Sequence, residues 1–159
     1  MSASKMTVFK FGAAALIVGA GAFTVSTSAR ANEVLITEAE AKLPTLKGAV
    51  PSASRGITRG PRVELVDVPS GDGVIHSPMH LQLKFQAFGG AQVDPSAIQV
   101  TYLKSPEVDL TDRVKPFVQA SGIDMPGAEL PPGDHVLRVN IKDTDGRTGT
   151  TSFTLKVVP

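Results

Sequence analysis

The sequence predicts an all-β protein, an antiparallel sandwich of about seven strands over residues 61–159. Two observations carry the prediction. Five segments alternate apolar and polar residues with a period of two, and clusters of turn-forming residues separate them. Each alternating segment has one apolar and one polar face, the pattern of antiparallel sheets packed on one side. Because the longest strands bury a single face, a sandwich is favoured over a barrel.

The segments run in order. Val63 and Leu65 alternate with Arg62 and Glu64. Leu81, Leu83, Phe85 and Ala87 alternate with His80, Gln82, Lys84 and Gln86. Ile98, Val100 and Tyr102 alternate with Gln99 and Thr101, and Leu137, Val139 and Ile141 with Arg138, Asn140 and Lys142. Phe153, Leu155 and Val157 alternate with Ser152, Thr154 and Lys156. The expected core includes Leu81, Leu83, Phe85, Val100, Leu137, Val139, Phe153 and Leu155. Turn signals fall at Pro69–Gly73, Gly89-Gly90, Asp94-Pro95-Ser96, Pro131–Asp134 and Asp143–Gly146. Val74-Ile75 and the region around Val118 suit short edge strands. Thr111 suits the cap of a single helical turn placing Leu110, Val114 and Phe117 on one face, with Pro116 limiting its length.

Ahead of these strands the composition changes twice. Residues 1–31 have the three parts of a secretory leader: Lys5 and Lys10 with no acid, an apolar run from Phe11 to Val25, and a small-residue junction at Ala29-Arg30-Ala31. The run is about 15 residues, short of the roughly 18 a spanning helix needs. Cleavage after Ala31 is therefore expected, leaving a periplasmic or secreted chain that begins Asn32-Glu33 and keeps no stable membrane insertion. Residues 32–60 read as a short helix and a flexible basic linker. Thr37 and Glu40 match a capping box, and Pro44 stops the helix near Leu43. From Lys42 to Arg62 there are five basic residues, no acid, and frequent Gly, Pro and Ser. That stretch suits a solvated linker, or a tether to an anionic surface.

Composition narrows the function. The chain has 16 basic and 15 acidic residues, and Lys5, Lys10 and Arg30 fall in the leader, so the mature protein is slightly acidic. That is a poor match for a general nucleic-acid binder. With no cysteine there is neither a disulfide, nor a thiol nucleophile, nor a site for lipid attachment. Over residues 32–159 the G-x-S-x-G, S-x-x-K, H-E-x-x-H and P-loop patterns are all absent. Asp134 and His135 are sequence neighbours, which a strand turns to opposite faces.

The run Ala128 to Val139, with Pro131-Pro132-Gly133-Asp134-His135 at its turn, and Asp143–Arg147 leading into Thr151–Leu155 resemble bacterial Ig-like and cadherin-like domains. The stretch Pro69 to Phe85 resembles the opening of the periplasmic copper-resistance sandwich proteins, a related fold. The resemblance implies an Ig-like sandwich over roughly residues 61–159, a fold that hosts many unrelated functions. Where these domains carry an aromatic after the Pro-Gly turn, this chain has His135. The copper proteins bind copper through a histidine at the mature N-terminus; here that residue is Asn32, so that site does not carry over.

Two constellations invite a metal. His76, Met79 and His80 offer donors that suit copper, with His135 a further candidate, and His76 and His80 share strand parity. Asp143, Asp145 and Gly146 look like half a calcium loop, but Arg147 and Thr154 occupy the positions where further acids belong, and a hairpin turn accounts for Asp-Gly without a metal. No cofactor is called for. The reading is a non-catalytic binding or accessory module that pairs with another envelope protein or surface component through a sheet face or edge. The alternative is a copper-binding protein using His76, Met79, His80 and His135.

Overall fold

A computed structural model describes residues 32–48, 60–66 and 74–159. The leader, the middle of the basic stretch and the Pro69–Gly73 turn lie outside the described residues. Two five-stranded sheets face each other. The first has the order β1 (Glu33–Val34), β8 (Gly122–Glu129), β4 (Met79–Gln86), β2 (Arg62–Val66), with β7 (Val118–Gln119) also on β8. The second runs β3 (Ile75–His76), β10 (Thr148–Val158), β9 (Gly133–Lys142), β5 (Gln99–Tyr102), β6 (Val108–Asp109). The pairings are antiparallel except at two short edges, where β1 runs parallel to β8 and β3 to β10. The protein is thus an all-β sandwich, with ten strands among the described residues rather than about seven.

Alternation decides which side chains fill the space between the sheets. In β4, Met79, Leu81, Leu83 and Phe85 are buried while His80 and Lys84 are exposed. In β9, His135, Leu137, Val139 and Ile141 point inward. Of the expected core, only Phe153 stays partly exposed, packed against the margin of the cluster. The backbones of the two sheets come close together where β2 begins beside β10. A Cβ on Gly149 would collide with the Pro61 carbonyl oxygen, so only glycine lets the two backbones meet there.

The packed region begins earlier than the linker reading places it. Residues 32–48 form a strap across one end of the sandwich. Leu35 and Ile36 are fully buried, and their N–H groups donate to the Glu129 carbonyl at 3.0 and 3.3 Å. An apolar pair in a nominally polar segment was the overlooked signal. The capping box forms as the sequence implies: Glu40 N–H donates to Thr37 Oγ1, and Thr37 N–H to Glu40 Oε2. The helix α1 (Glu38–Ala41) stops two residues before Leu43. Pro44 then accepts from Ser105 N–H, and Thr45 bridges to Lys104.

Opposite the strap, α2 (Thr111–Val114) is capped by Leu110 rather than Thr111. The Thr111 hydroxyl instead accepts from Val100 N–H at 3.1 Å, an alternative use typical of short hydroxyl side chains. Leu110 and Val114 are fully buried and Phe117 partly so, sharing one face as expected.

Arg113, on α2, clasps the strap. Its guanidinium donates to both Glu40 carboxylate oxygens at 2.8 and 2.7 Å, and to the Leu35 carbonyl at 2.8 Å. These bonds from Arg113, joined by those at Thr37, hold the Glu40 carboxyl down at about 2 against a partial burial that would raise it. A depressed carboxyl stabilises the fold fully above its unfolded value near 4.5, and that contribution is lost as pH falls toward 2. We expect Glu40→Gln to cost about 2–3 kcal/mol at pH 7 and to flatten the stability profile between about pH 5 and pH 2, read from urea melts across that range. An unchanged profile would show that the clasp contributes nothing.

Candidate functional site

The four metal candidates are scattered by the fold. His76 ends β3 in the second sheet, exposed and paired with Val158. The chain then crosses through Ser77-Pro78 to the first sheet, where β4 starts at Met79. Shared parity therefore does not put His76 and His80 on one face. Met79 points into the core while His80 points out, where its Nε2 donates to Asp124 Oδ1 at 2.6 Å. Among the described residues no three of His, Cys, Asp and Glu lie close enough together to hold a metal.

His135 is 1 % exposed and has both ring nitrogens engaged. Nε2 lies 2.7 Å from the Pro131 carbonyl oxygen, which can only accept, so Nε2 carries the proton. Nδ1 then accepts from the Tyr102 hydroxyl at 2.8 Å. No lone pair on the ring remains for a metal. Here the histidine in the usual aromatic position fills core space and satisfies two buried polar groups. Lys104 Nζ sits 5.3 Å over the Tyr102 ring and donates to the Ala41 carbonyl, joining this polar pair to the strap. Burial, with a smaller push from Glu40, raises the Tyr102 hydroxyl to about 12. Burial is also the main cause that lowers the His135 pKa; Lys104 adds to it, while the Pro131 carbonyl and Asp134 oppose it.

The half calcium loop is filled by its own arginine. Arg147 Nε donates to Asp143 Oδ2, and Nη2 to Asp145 Oδ2 and the Phe88 carbonyl, each at 2.8 Å. Asp143 Oδ1 also accepts from the Asp145 and Arg147 N–H groups. Burial alone would raise the Asp143 carboxyl, but the Arg147 bonds outweigh it and hold it below the usual range. The turn joins β9 to β10, with Gly146 at φ +80°.

The most site-like feature is a notch that sequence reading missed, on the outer edge of β8. On that edge β7 pairs at Gly122 and Ile123, and β1 pairs at Ala128 and Glu129. Between them the β7 register sets Phe117 opposite Asp124 and Asn32 lies against Gly127, so among the described residues the pairing lapses at Met125 and Pro126. A bulge sits in the same place: Met79 pairs with Ala128 but Leu81 with Met125, so β8 carries one extra residue. Met125 and Ala128 stay fully buried while Pro126 turns outward. Pro126 has no N–H to offer a neighbour, which suits an edge and a bulge.

The alternation of hydrogen bonding settles where the remaining groups point. Phe85 N–H donates to the Ser121 carbonyl, so Ser121, Ile123 and Met125 turn their backbone groups toward β4. Asp124 N–H and C=O therefore turn toward β7, whose register sets Phe117 opposite Asp124. The opening is a groove of about 480 Å³ lined by Glu33, Phe117, Gln119, Asp124, Pro126 and Gly127 among others. Among the described residues the lining contains two carboxylates and no lysine or arginine. In the sequence, Ile123 and Met125 flanking Asp124, followed by Pro126-Gly127, were the available sign of an interrupted strand.

No family model matches the chain, and no curated protein matches it. Among solved structures, the crystal structure of CopC from Methylosinus trichosporium OB3b is similar over 62 % of this chain and 97 % of that one, at 22 % identity and a TM-score of 0.37. A likeness at that level bears on no residue of the notch.

The Tyr102–His135 pair gives a pH signature. A histidine whose pKa is lowered by folding stabilises fully above about 6.5, and that stability is lost as pH falls through its folded value. Wild-type protein should melt progressively lower as pH drops from 7 to 5, and the paired Tyr102→Phe, His135→Phe variant should lose most of that slope. Parallel slopes in the two proteins would contradict the assignment.

Proposed function

We propose that the protein is an exported, non-catalytic β-sandwich that binds another component of the cell envelope through the notch on β8. The observation that carries this reading is the groove beside β8 where, among the described residues, strand pairing lapses between β7 and β1. A ligand there would cover the exposed edge at Pro126 and fill the groove at once. Export is supported by the leader-like residues 1–31. Among the described residues, no helix is long and apolar enough to cross a membrane. The non-catalytic reading is supported by the absence of nucleophile motifs and of cysteine. Among the described residues, the His80–Asp124 pair has no hydroxyl bonded to it that could serve as a nucleophile.

The cysteine-free chain makes the test direct. A photo-reactive label on Gln119→Cys should capture a discrete envelope component in intact cells, while the same label on Thr154→Cys, an exposed position of β10, should not. No adduct, or the same adducts from both sites, would count against the notch.

Copper binding is the second reading. One observation favours it: the exposed His80–Asp124 pair sets a nitrogen and an oxygen donor side by side. A tight site needs one or two more ligands, and His135 and Met79 are turned into the core. Copper titration of the purified protein should therefore give a dissociation constant weaker than about 1 μM. Tighter binding that His80→Ala abolishes would make copper the principal reading.

A further inference from the structure

We propose that the C-terminal half of the strap, Ala41 to Leu46, is an acid-released latch whose sensor is the Tyr102–His135 pair.

The seat of the latch and its sensor are one stretch of chain. The strap has two attachments. Leu35 and Ile36 hang from the Glu129 carbonyl and the Arg113 clasp. From Ala41 onward the bonds run to Leu103, Lys104 and Ser105 instead. Lys104 Nζ donates to the Ala41 carbonyl at 3.0 Å, Ser105 N–H to the Pro44 carbonyl at 2.9 Å, and Leu46 N–H to the Leu103 carbonyl at 3.5 Å. These three residues follow Tyr102 directly, and Leu103 N–H donates to the carbonyl of Val136, the neighbour of His135.

A proton arriving on His135 Nδ1 cannot be absorbed in place. Nε2 already donates to Pro131, so the ring would donate from both nitrogens. The Tyr102 hydroxyl would then have to accept, and its own proton would lose its acceptor. Tyr102 is fully buried, and among the described residues its hydroxyl has no second partner. The new charge also meets a cation. Lys104 is itself buried, with Nζ 5.3 Å from the centre of the Tyr102 ring, and it disfavours a charged His135. Asp134, exposed on the same strand, favours the charge, and Glu40 acts on Tyr102. On β10 the residue paired with His135 is Leu155, which brings no charge. Lys104 swinging out to water relieves the like-charge contact and opens a path for water to the stranded hydroxyl. That movement takes its bond from Ala41.

The other attachment does not follow. The Glu40 carboxyl, held at about 2, stays ionised far below the range in which histidines titrate, so the Arg113 clasp persists. Acid therefore frees the strap from Ala41 onward while Leu35 and Ile36 keep their places. Burial first, and Lys104 after it, set the folded value of His135 below its free one. The latch is thus fully held above about pH 6.5 and weakens as pH falls toward the folded value.

The test is residue-by-residue amide exchange on the purified wild-type protein between pH 7 and pH 5, expressed as protection so that the intrinsic pH dependence drops out. Protection of the Ser105 and Leu46 amides should fall about three- to tenfold, following the titration of the His135 ring nitrogens, while Leu35 and Ile36 hold theirs. In the Tyr102→Phe, His135→Phe variant, Ser105 protection should not change with pH. That variant keeps His76 and His80, so a response that survives in it overturns the proposal. So does a wild-type fall that Leu35 and Ile36 share equally, one that does not follow the ring, or no fall at all. If the variant does not fold, the wild-type comparisons decide the question alone.

Discussion

A sandwich without cysteine must close its ends by packing and hydrogen bonds, and here one closure runs through a single guanidinium. Arg113 holds the Glu40 carboxylate and the Leu35 carbonyl together. Through them it fixes α1 and keeps Leu35 and Ile36 in the core. Partly buried ion pairs often gain little net stability, because desolvation offsets attraction. This one also fills a backbone acceptor and both carboxylate oxygens, so few polar groups are left uncompensated. Its second role is positional. The segment it fixes carries β1, and β1 forms one wall of the notch.

The polar groups within the sandwich follow the same economy. His135 spends both nitrogens on Pro131 and Tyr102, Lys104 reaches Ala41, and Asp143 is saturated by Arg147 and local N–H groups. No buried side-chain polar atom among the described residues lacks a partner. Chemistry that the sequence offers as potential metal ligands is thus largely consumed as structure. The binding capacity proposed above lies instead in the groove beside β8, between β7 and β1.

That division explains what the sequence could reveal. The alternating runs of β2, β4, β5, β9 and β10 were legible because each buries one face, and the short edges near Ile75 and Val118 were legible from their flanks. The capping box at Thr37 was legible because its two bonds are local. The strand β8 was not. Gly122, Pro126 and Gly127 read as breakers, and its extra residue shifts the period between Met125 and Ala128. The strap was missed for a different reason: two apolar residues set no period, and their burial depends on Glu129 and Arg113, far away in the chain. The separation of His76 from His80 was not legible, since parity cannot say that Ser77-Pro78 carries the chain from one sheet to the other.

The distance between the strap and its partners also orders events in time. Asn32 bonds to Glu129, 97 residues further along the chain. A polypeptide emerging N-terminus first presents Leu35 and Ile36 long before the strand that receives them exists. Such distant pairing delays folding, because loop entropy must be spent before contacts repay it. Until residue 129 has emerged the two side chains stay available to any holdase, and the nascent chain remains threadable. Late closure would suit the export proposed above, in which a chain crosses a membrane before it folds.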